Sequence, residues 1–205
     1  MIEQPINEGY QYLIPVEDYL KAGIHIGTKF KTASMKSFIY KIRPDGLAVL
    51  DVQKIDEGIR ATVGMLSHYE PKDVVIVCRR ENGWKTIKKF CELVGMRGYT
   101  GRYPPGILTN TQLENFTETK LILVTDPFPD RNIIKDALRV GVPIISLCDT
   151  NNKVKDVELV IPCNNKGKKS LGLIFWLLAR EYLKAKGIIS SDREFKAQLE
   201  EFIAE

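Results

Sequence analysis

The sequence predicts an α/β protein, Rossmann-like or flavodoxin-like, with a doubly wound, mainly parallel sheet and helices on both faces. Three observations lead there. The apolar runs VVIVC (74–78), LILVT (121–125), PIISLCD (143–149) and LVIPC (159–163) read as strands covered on both sides. Segments of helical periodicity alternate with them, and right-handed crossovers turn that alternation into a parallel sheet. A length of 205 residues with 44% hydrophobic content suits one such domain with short extensions.

Taken in order, PVEDYLKAG (15–23) reads as a short helix that Pro15 can start and Gly23 can end. MKSFIYKI (35–42) alternates like a strand, PDG (44–46) is a turn, and LAVLD (47–51) is the returning or next strand. In 54–69, Ile55, Ile59, Val63 and Leu66 fall at helical spacing. After strand 74–78 come helix 82–95, strand 121–125, helix 130–140 ending at Gly141, strands 143–149 and 159–163, and a long helix from about Gly167 to Lys186. Residues 1–11 are expected to be an acidic extension, 12–187 the single α/β domain, and 188–205 an acidic amphipathic helix or tail. In that tail Ser191 and Glu194 have capping-box spacing, and Phe195, Leu199, Phe202 and Ile203 share one helical face. The stripe either meets a protein partner or folds back on its own domain.

Charge is distributed unevenly. The formal net charge is +4, yet Glu3, Glu8, Glu17 and Asp18 crowd the first residues, and Asp192, Glu194, Glu200, Glu201 and Glu205 crowd the last. Between 19 and 44 stand Lys21, Lys29, Lys31, Lys36, Lys41 and Arg43 with no acid. A second basic cluster spans 79–108, and Lys166, Lys168 and Lys169 make a third. Any one run reads as a solvated face. Three, with the acids withdrawn to the ends, point to a polyanionic partner. No apolar run is long enough for a bilayer, the N-terminus lacks a signal-peptide layout, and a cytoplasmic setting is expected. Cysteines 78, 91, 148 and 163 form no CxxC pair, so they read as structural thiols.

An enzyme reading finds little support. Neither GxGxxG nor GxxxxGK[ST] is present, and GIHIG (23–27) imitates a phosphate loop only loosely. Asp126 and Asp149 follow strands, where catalytic or magnesium-binding carboxylates would sit, but caps and turns use aspartate there too. His68 lies late in a helix, and His25 sits in a basic, glycine-flanked loop where it is either packed or bonded to a phosphate. No GxSxG elbow appears. A nucleotide-dependent α/β enzyme stands as the alternative. The loop GRYPPGILTN (101–110) holds nothing that titrates near neutrality, and its prolines and glycines make it stiff and sharply bent.

The ordered series YLKAGIHIGTKFKTASMKSFIY, VLD, GRYPPGILTN, VTDP, GVPIISLCDTNN and VIPCNNKGKKSLGLIFWLLARE resembles the second protein of the small ribosomal subunit, the family that includes the eukaryotic ribosomal protein SA. The resemblance spans roughly 12–187. Bacterial members carry a coiled-coil insertion that this sequence lacks, and the compact form is closer to archaeal and eukaryotic members. The resemblance implies a Rossmann-like sheet, no catalysis, no cofactor, and a structural role on the ribosome. It also implies small-subunit ribosomal RNA and neighbouring ribosomal proteins as partners; no membrane contact and no homo-oligomer are expected.

Physical chemistry then nominates the RNA-facing residues. Lys21, His25, Thr28, Lys29, Lys31 and Lys36 lie in the acid-free stretch suited to phosphates. Arg102 can fork onto a phosphate, Tyr103 can stack on an unpaired base or pack inward, and Thr109 and Asn110 offer short polar groups or cap the next element. Lys166, Lys168 and Lys169 precede a helix whose free N–H groups favour anions, or make a solvated face.

Overall fold

A computed structural model describes residues 9–203. Glu3, Glu8 and Glu205 of the acidic extensions lie outside the described residues. The elements are helix α1 (Val16–Ala22), a hairpin of β1 (Ile39–Ile42) and β2 (Ala48–Leu50), α2 (Val52–Ser67), β3 (Val74–Cys78), α3 (Trp84–Val94), β4 (Arg97–Thr100), β5 (Leu121–Val124), α4 (Arg131–Val140), β6 (Ile144–Cys148), β7 (Leu159–Pro162), α5 (Lys168–Ala185) and the short α6 (Leu199–Phe202). The main sheet has the order β4-β3-β5-β6-β7, every pair parallel. This is the flavodoxin-like winding, whose strand order reverses between β3 and β5.

Strand alternation divides the core. Val74, Ile76 and Cys78 face the layer of α2, α3 and α5, while Val75 and Val77 face α4 and the 101–120 segment. The apolar runs are continuous because each strand is covered on both sides. Burial pushes the Cys78 thiol up to about 11 and the Cys148 thiol up to about 12, so both remain protonated, inert core groups.

Two elements differ from the sequence expectation for physical reasons. Residues 36–38 form a 3₁₀ turn before β1, with Phe38 N–H donating to Met35 O while the Met35 side chain is buried. The β1–β2 pair is antiparallel and stands apart from the main sheet. Strand β4 has no counterpart in the sequence expectation. RGYT has no apolar run because it is an edge strand, bonded on one side only and partly open to solvent.

GRYPPGILTN serves chiefly as cover for the second face. Tyr103 is 3% exposed, stands edge-on to Tyr99, and its hydroxyl points at Asp136 Oδ2 of α4, 3.4 Å away. Gly106, at φ +95°, donates its N–H to the same carboxylate at 3.0 Å, and Ile107 and Leu108 are buried beside Ile133 and Ala137. The expectation that Tyr103 stacks on a base is therefore corrected. A doubly wound sheet with one helix on this face must bury apolar surface against something, and the loop supplies it.

The tail folds back on its own domain. After a 3₁₀ turn at Asp192–Glu194 the backbone extends, and Trp176 Nε1 donates to Ala197 O at 2.9 Å while its ring meets Phe195. Phe202 is fully buried, Thr86 Oγ1 donates to Phe202 O at 2.6 Å, and Lys89 pairs with Glu201 at 2.8 Å. The single amphipathic helix gives way to this arrangement because a Trp donor and the gap between α3 and α5 capture the chain. At the other end, buried Asp56 accepts from Tyr10 Oη, Leu13 N, Tyr19 Oη and Arg60 Nε, which fixes the segment leading into α1.

Two substitutions check this packing in the free protein. Phe202→Ala should cost about 3–5 kcal/mol in denaturant unfolding; a loss under about 0.5 kcal/mol would show that the tail does not close the core. Tyr103→Ala should lower the melting temperature while Arg102→Ala leaves it unchanged, and the reverse order would return Tyr103 to the surface.

Candidate nucleic-acid interface

In a doubly wound sheet the loops at the carboxyl ends of the strands form the binding edge. Here that edge is tied together by buried polar groups. Arg80 donates from Nε and Nη2 to Asp126 Oδ2 at 2.7 and 2.5 Å, and Lys166 Nζ reaches Asp149 Oδ2 at 2.6 Å. Asn152 joins the two, its Nδ2 donating to Asp126 Oδ1 at 3.0 Å and its Oδ1 accepting from Asp149 N at 2.7 Å. Asn165 Nδ2 bonds the same Asn152 Oδ1 and Leu147 O. Both aspartates are at most 1% exposed. Their charges are matched by cations and their lone pairs occupied, so they serve the framework rather than general-base chemistry.

Across the ends of β6 and β7 lies a strap, residues 24–35. Asn164 N donates to Ile24 O at 2.8 Å, Thr28 N to Thr150 Oγ1 at 2.9 Å, Thr32 N to Thr150 O at 3.0 Å, and Thr32 Oγ1 to Asn152 O at 2.7 Å. On its other side the strap meets the hairpin: Gly27 N donates to Ala48 O, Ala48 N to Thr28 O, and Leu50 N to His25 O. Gly27 is a matter of contact distance. A Cβ there would stand 2.5 Å from Thr150 Cγ2 and 3.0 Å from Ala48 O. Gly27 thus fits a chain crossing and Gly23 ends α1 at φ +69°, and the phosphate-loop likeness dissolves.

The seated strap turns Lys29, Phe30 and Lys31 outward, with Phe30 80% exposed. Lys31 reaches Gly46 O at 3.3 Å, and Lys36 is exposed beyond the tip. Thr28 is half-buried, its hydroxyl bonded to Phe30 O and Thr150 Oγ1. His25 is 5% exposed, and burial pushes its imidazole below the usual histidine range. That corrects its nomination as a phosphate ligand: the ring belongs to the neutral underside of the strap. Near the strap's start, Asn164 bonds Gly23 O and accepts from Lys166 N and Gly167 N, joining the end of α1 to the start of α5. Lys21 and Lys169 consequently line one groove, Lys21 ion-paired to Asp18 at 3.1 Å, and Lys168 is exposed in the first turn of α5.

The remaining nominees are spread out. Arg102 is exposed where the chain leaves β4, just after Gly101 N donates to Cys78 O. Thr109 and Asn110 are exposed farther along the loop as it crosses the second face; Asn110 Oδ1 accepts from Gln112 N in a local turn, so the pair caps no helix. Sequence reasoning missed Phe30. Its signal was an aromatic between two lysines, KFK, in an acid-free stretch.

Asp130 makes the edge pH-sensitive. It is 2% exposed; burial pushes its carboxyl up to about 7, the Asp126 charge adds to this, and the Arg79 N–H bond and the Arg79 and Arg80 charges oppose it. The folded protein therefore holds a proton between about pH 4 and 7 that the unfolded chain has released. This contribution to stability falls as pH rises through that window and is level above it. Asp130→Asn should remove the slope. Relative to the variant, wild-type stability measured from pH 4 to 8 should decline as pH rises to about 7 and hold a constant difference above it, and parallel profiles would contradict the assignment.

Comparisons with known proteins show the family of this chain. The family described as "Ribosomal protein S2" matches residues 19–119 and 114–185. A Nanoarchaeum equitans protein named small ribosomal subunit protein uS2 is 50% identical over 190 residues, covering 93% of this chain and 94% of that one. The protein of that name from Thermoplasma acidophilum is 47% identical over 95% of this chain and 98% of its own. Another, from Thermofilum pendens, is 48% identical, with 95% and 91% covered. This chain belongs to the ribosomal protein S2 family.

Proposed function

We infer that this chain is a structural constituent of the small ribosomal subunit, with no catalytic role, and that its strap faces ribosomal RNA. One observation supports that orientation above the rest. The carboxyl ends of β6 and β7, part of the edge on which doubly wound enzymes build their sites, are covered by the chain's own strap, whose outer surface is Lys29, Phe30 and Lys31. Lysines near phosphates gain from counterion release, and an exposed ring offers a face to an unpaired base. Lys36, Lys168 and Lys169 extend the basic surface, and Lys21 joins it beside Asp18. Arg102 is a separate phosphate contact, and Lys166, committed to Asp149, acts mainly by holding the edge. Neighbouring ribosomal proteins are the second class of partner, and the setting is the cytoplasm, on the ribosome.

The direct test is sedimentation of the endogenous chain through a high-salt gradient. Migration with small subunits supports this role. Migration only as free protein, together with stoichiometric micromolar binding of ATP, GTP or NAD in calorimetry, would establish the nucleotide enzyme instead.

Replacing Lys29, Lys31 and Lys36 together by Ala should lower the salt slope of ribosomal RNA binding by about 0.7–0.9 for each phosphate that these lysines neutralise, with melting unchanged. Phe30→Ala should weaken binding by about 1–3 kcal/mol. An unchanged salt slope in a folded triple variant would remove the strap from the RNA interface.

A further inference from the structure

Beside α4 and the 151–156 loop, whose Asn152 carbonyl seats Thr32 of the strap, a second surface brings exposed apolar and basic groups together. A groove of about 440 Å³ runs between the β5–α4 turn with α4 on one side and the 151–156 loop on the other. It is lined by Phe128, 76% exposed, just before α4, and by Leu138, 47% exposed, near the end of that helix. Ile134 also lines it, one helical turn before Leu138. Exposed Arg131 and Lys135 border this floor from α4, and Lys153 and Lys155 border it from the loop. Among the described residues none of these four cations is in an ion pair, whereas Arg80 and Lys166 of the sheet edge are committed to Asp126 and Asp149. Among the described residues Asp156 is the one acid lining the groove.

We propose that this groove is a docking surface for an acidic, amphipathic segment of a neighbouring small-subunit protein, its apolar side chains on Phe128, Ile134 and Leu138 and its carboxylates between Arg131/Lys135 and Lys153/Lys155. Placement of the charges decides the occupant. Phe128, Ile134 and Leu138 are its apolar groups, and the amides that also line it are already engaged, Asn152 with Asp126 and Asp149 and Asn151 with Lys166, while the cations stand on the rim. A peptide stripe repeating every three to four residues matches an Ile134–Leu138 spacing. A basic rim around an apolar floor steers and aligns an acidic partner, and rejects a basic one by like-charge contact. RNA would meet the lysines and the Phe128 ring but leave Ile134 and Leu138 uncovered. This chain's own acidic tail is engaged, its Phe202 buried between α3 and α5.

The proposal rests on the ribosomal reading, and its test separates the two. The full-length chain carrying p-benzoylphenylalanine in place of Leu138 is expressed, small subunits are isolated and irradiated, and adducts are mapped by mass spectrometry. The expected adduct is a ribosomal-protein segment of net negative charge. Adding Lys135→Glu and Lys153→Glu should reduce it at least about tenfold, and Lys135→Arg with Lys153→Arg should preserve it. An adduct to RNA, to a neutral or basic segment, or no adduct while the chain is present in the subunits overturns the docking surface alone. Absence of the chain from the subunits overturns the ribosomal reading and this proposal with it.

Discussion

The bond system linking Arg80, Asp126, Asn152, Asp149 and Lys166 is the constraint on which the binding edge depends. Two carboxylates with almost no exposure are tolerable only if each is matched by a cation and its lone pairs are filled, and removing a single partner from such a pair typically costs about 3–5 kcal/mol. The system joins the loops after β3, β5, β6 and β7, which are otherwise independent connections. With those loops fixed, Thr150 and Asn152 present a stationary hydroxyl and carbonyls to the strap. The carboxylates that would mark an enzyme in this fold thus hold a platform.

From that platform the electrostatics follow. Framework charges are neutralised inside the edge, and lysines without a framework role stand on the strap's outer surface. The strap contributes exposed Lys29 and Lys31 around Phe30 while its underside, with buried His25 and Met35, stays apolar or neutral. A segment that lacked the Thr28–Thr150 and Thr32–Asn152 bonds would have to be ordered on binding, at an entropic cost to affinity. Asp56 works at the other end of the same chain, holding Leu13 and Tyr19 so that α1 enters the strap from a fixed direction.

The parallel strands, the helices and the fold class were legible because burial on both faces leaves continuous apolar runs, and helices leave a periodic face. Strand β4 was not, since an edge strand of RGYT carries neither signal. The first half of MKSFIYKI alternates like a strand yet turns as 3₁₀ because Met35 anchors inward. In the site, basic clustering marked the strap, but composition says nothing about inside and outside. His25 and Tyr103 belong to polar-looking stretches and are buried by tertiary contacts, with Asp136 receiving the loop at Tyr103 and Gly106. The tail stripe was readable as apolar, whereas its destination depended on Trp176 and Thr86, far away in sequence.

The central claim is that the seated strap presents its tip to RNA. The most direct measurement places a photoreactive p-azidophenylalanine at position 30 of the full-length chain, assembles it into small subunits, and maps the adduct after irradiation. The account predicts a cross-link to ribosomal RNA at an unpaired nucleotide. A chain present in the subunits whose position 30 cross-links only to protein, or to nothing, would contradict it.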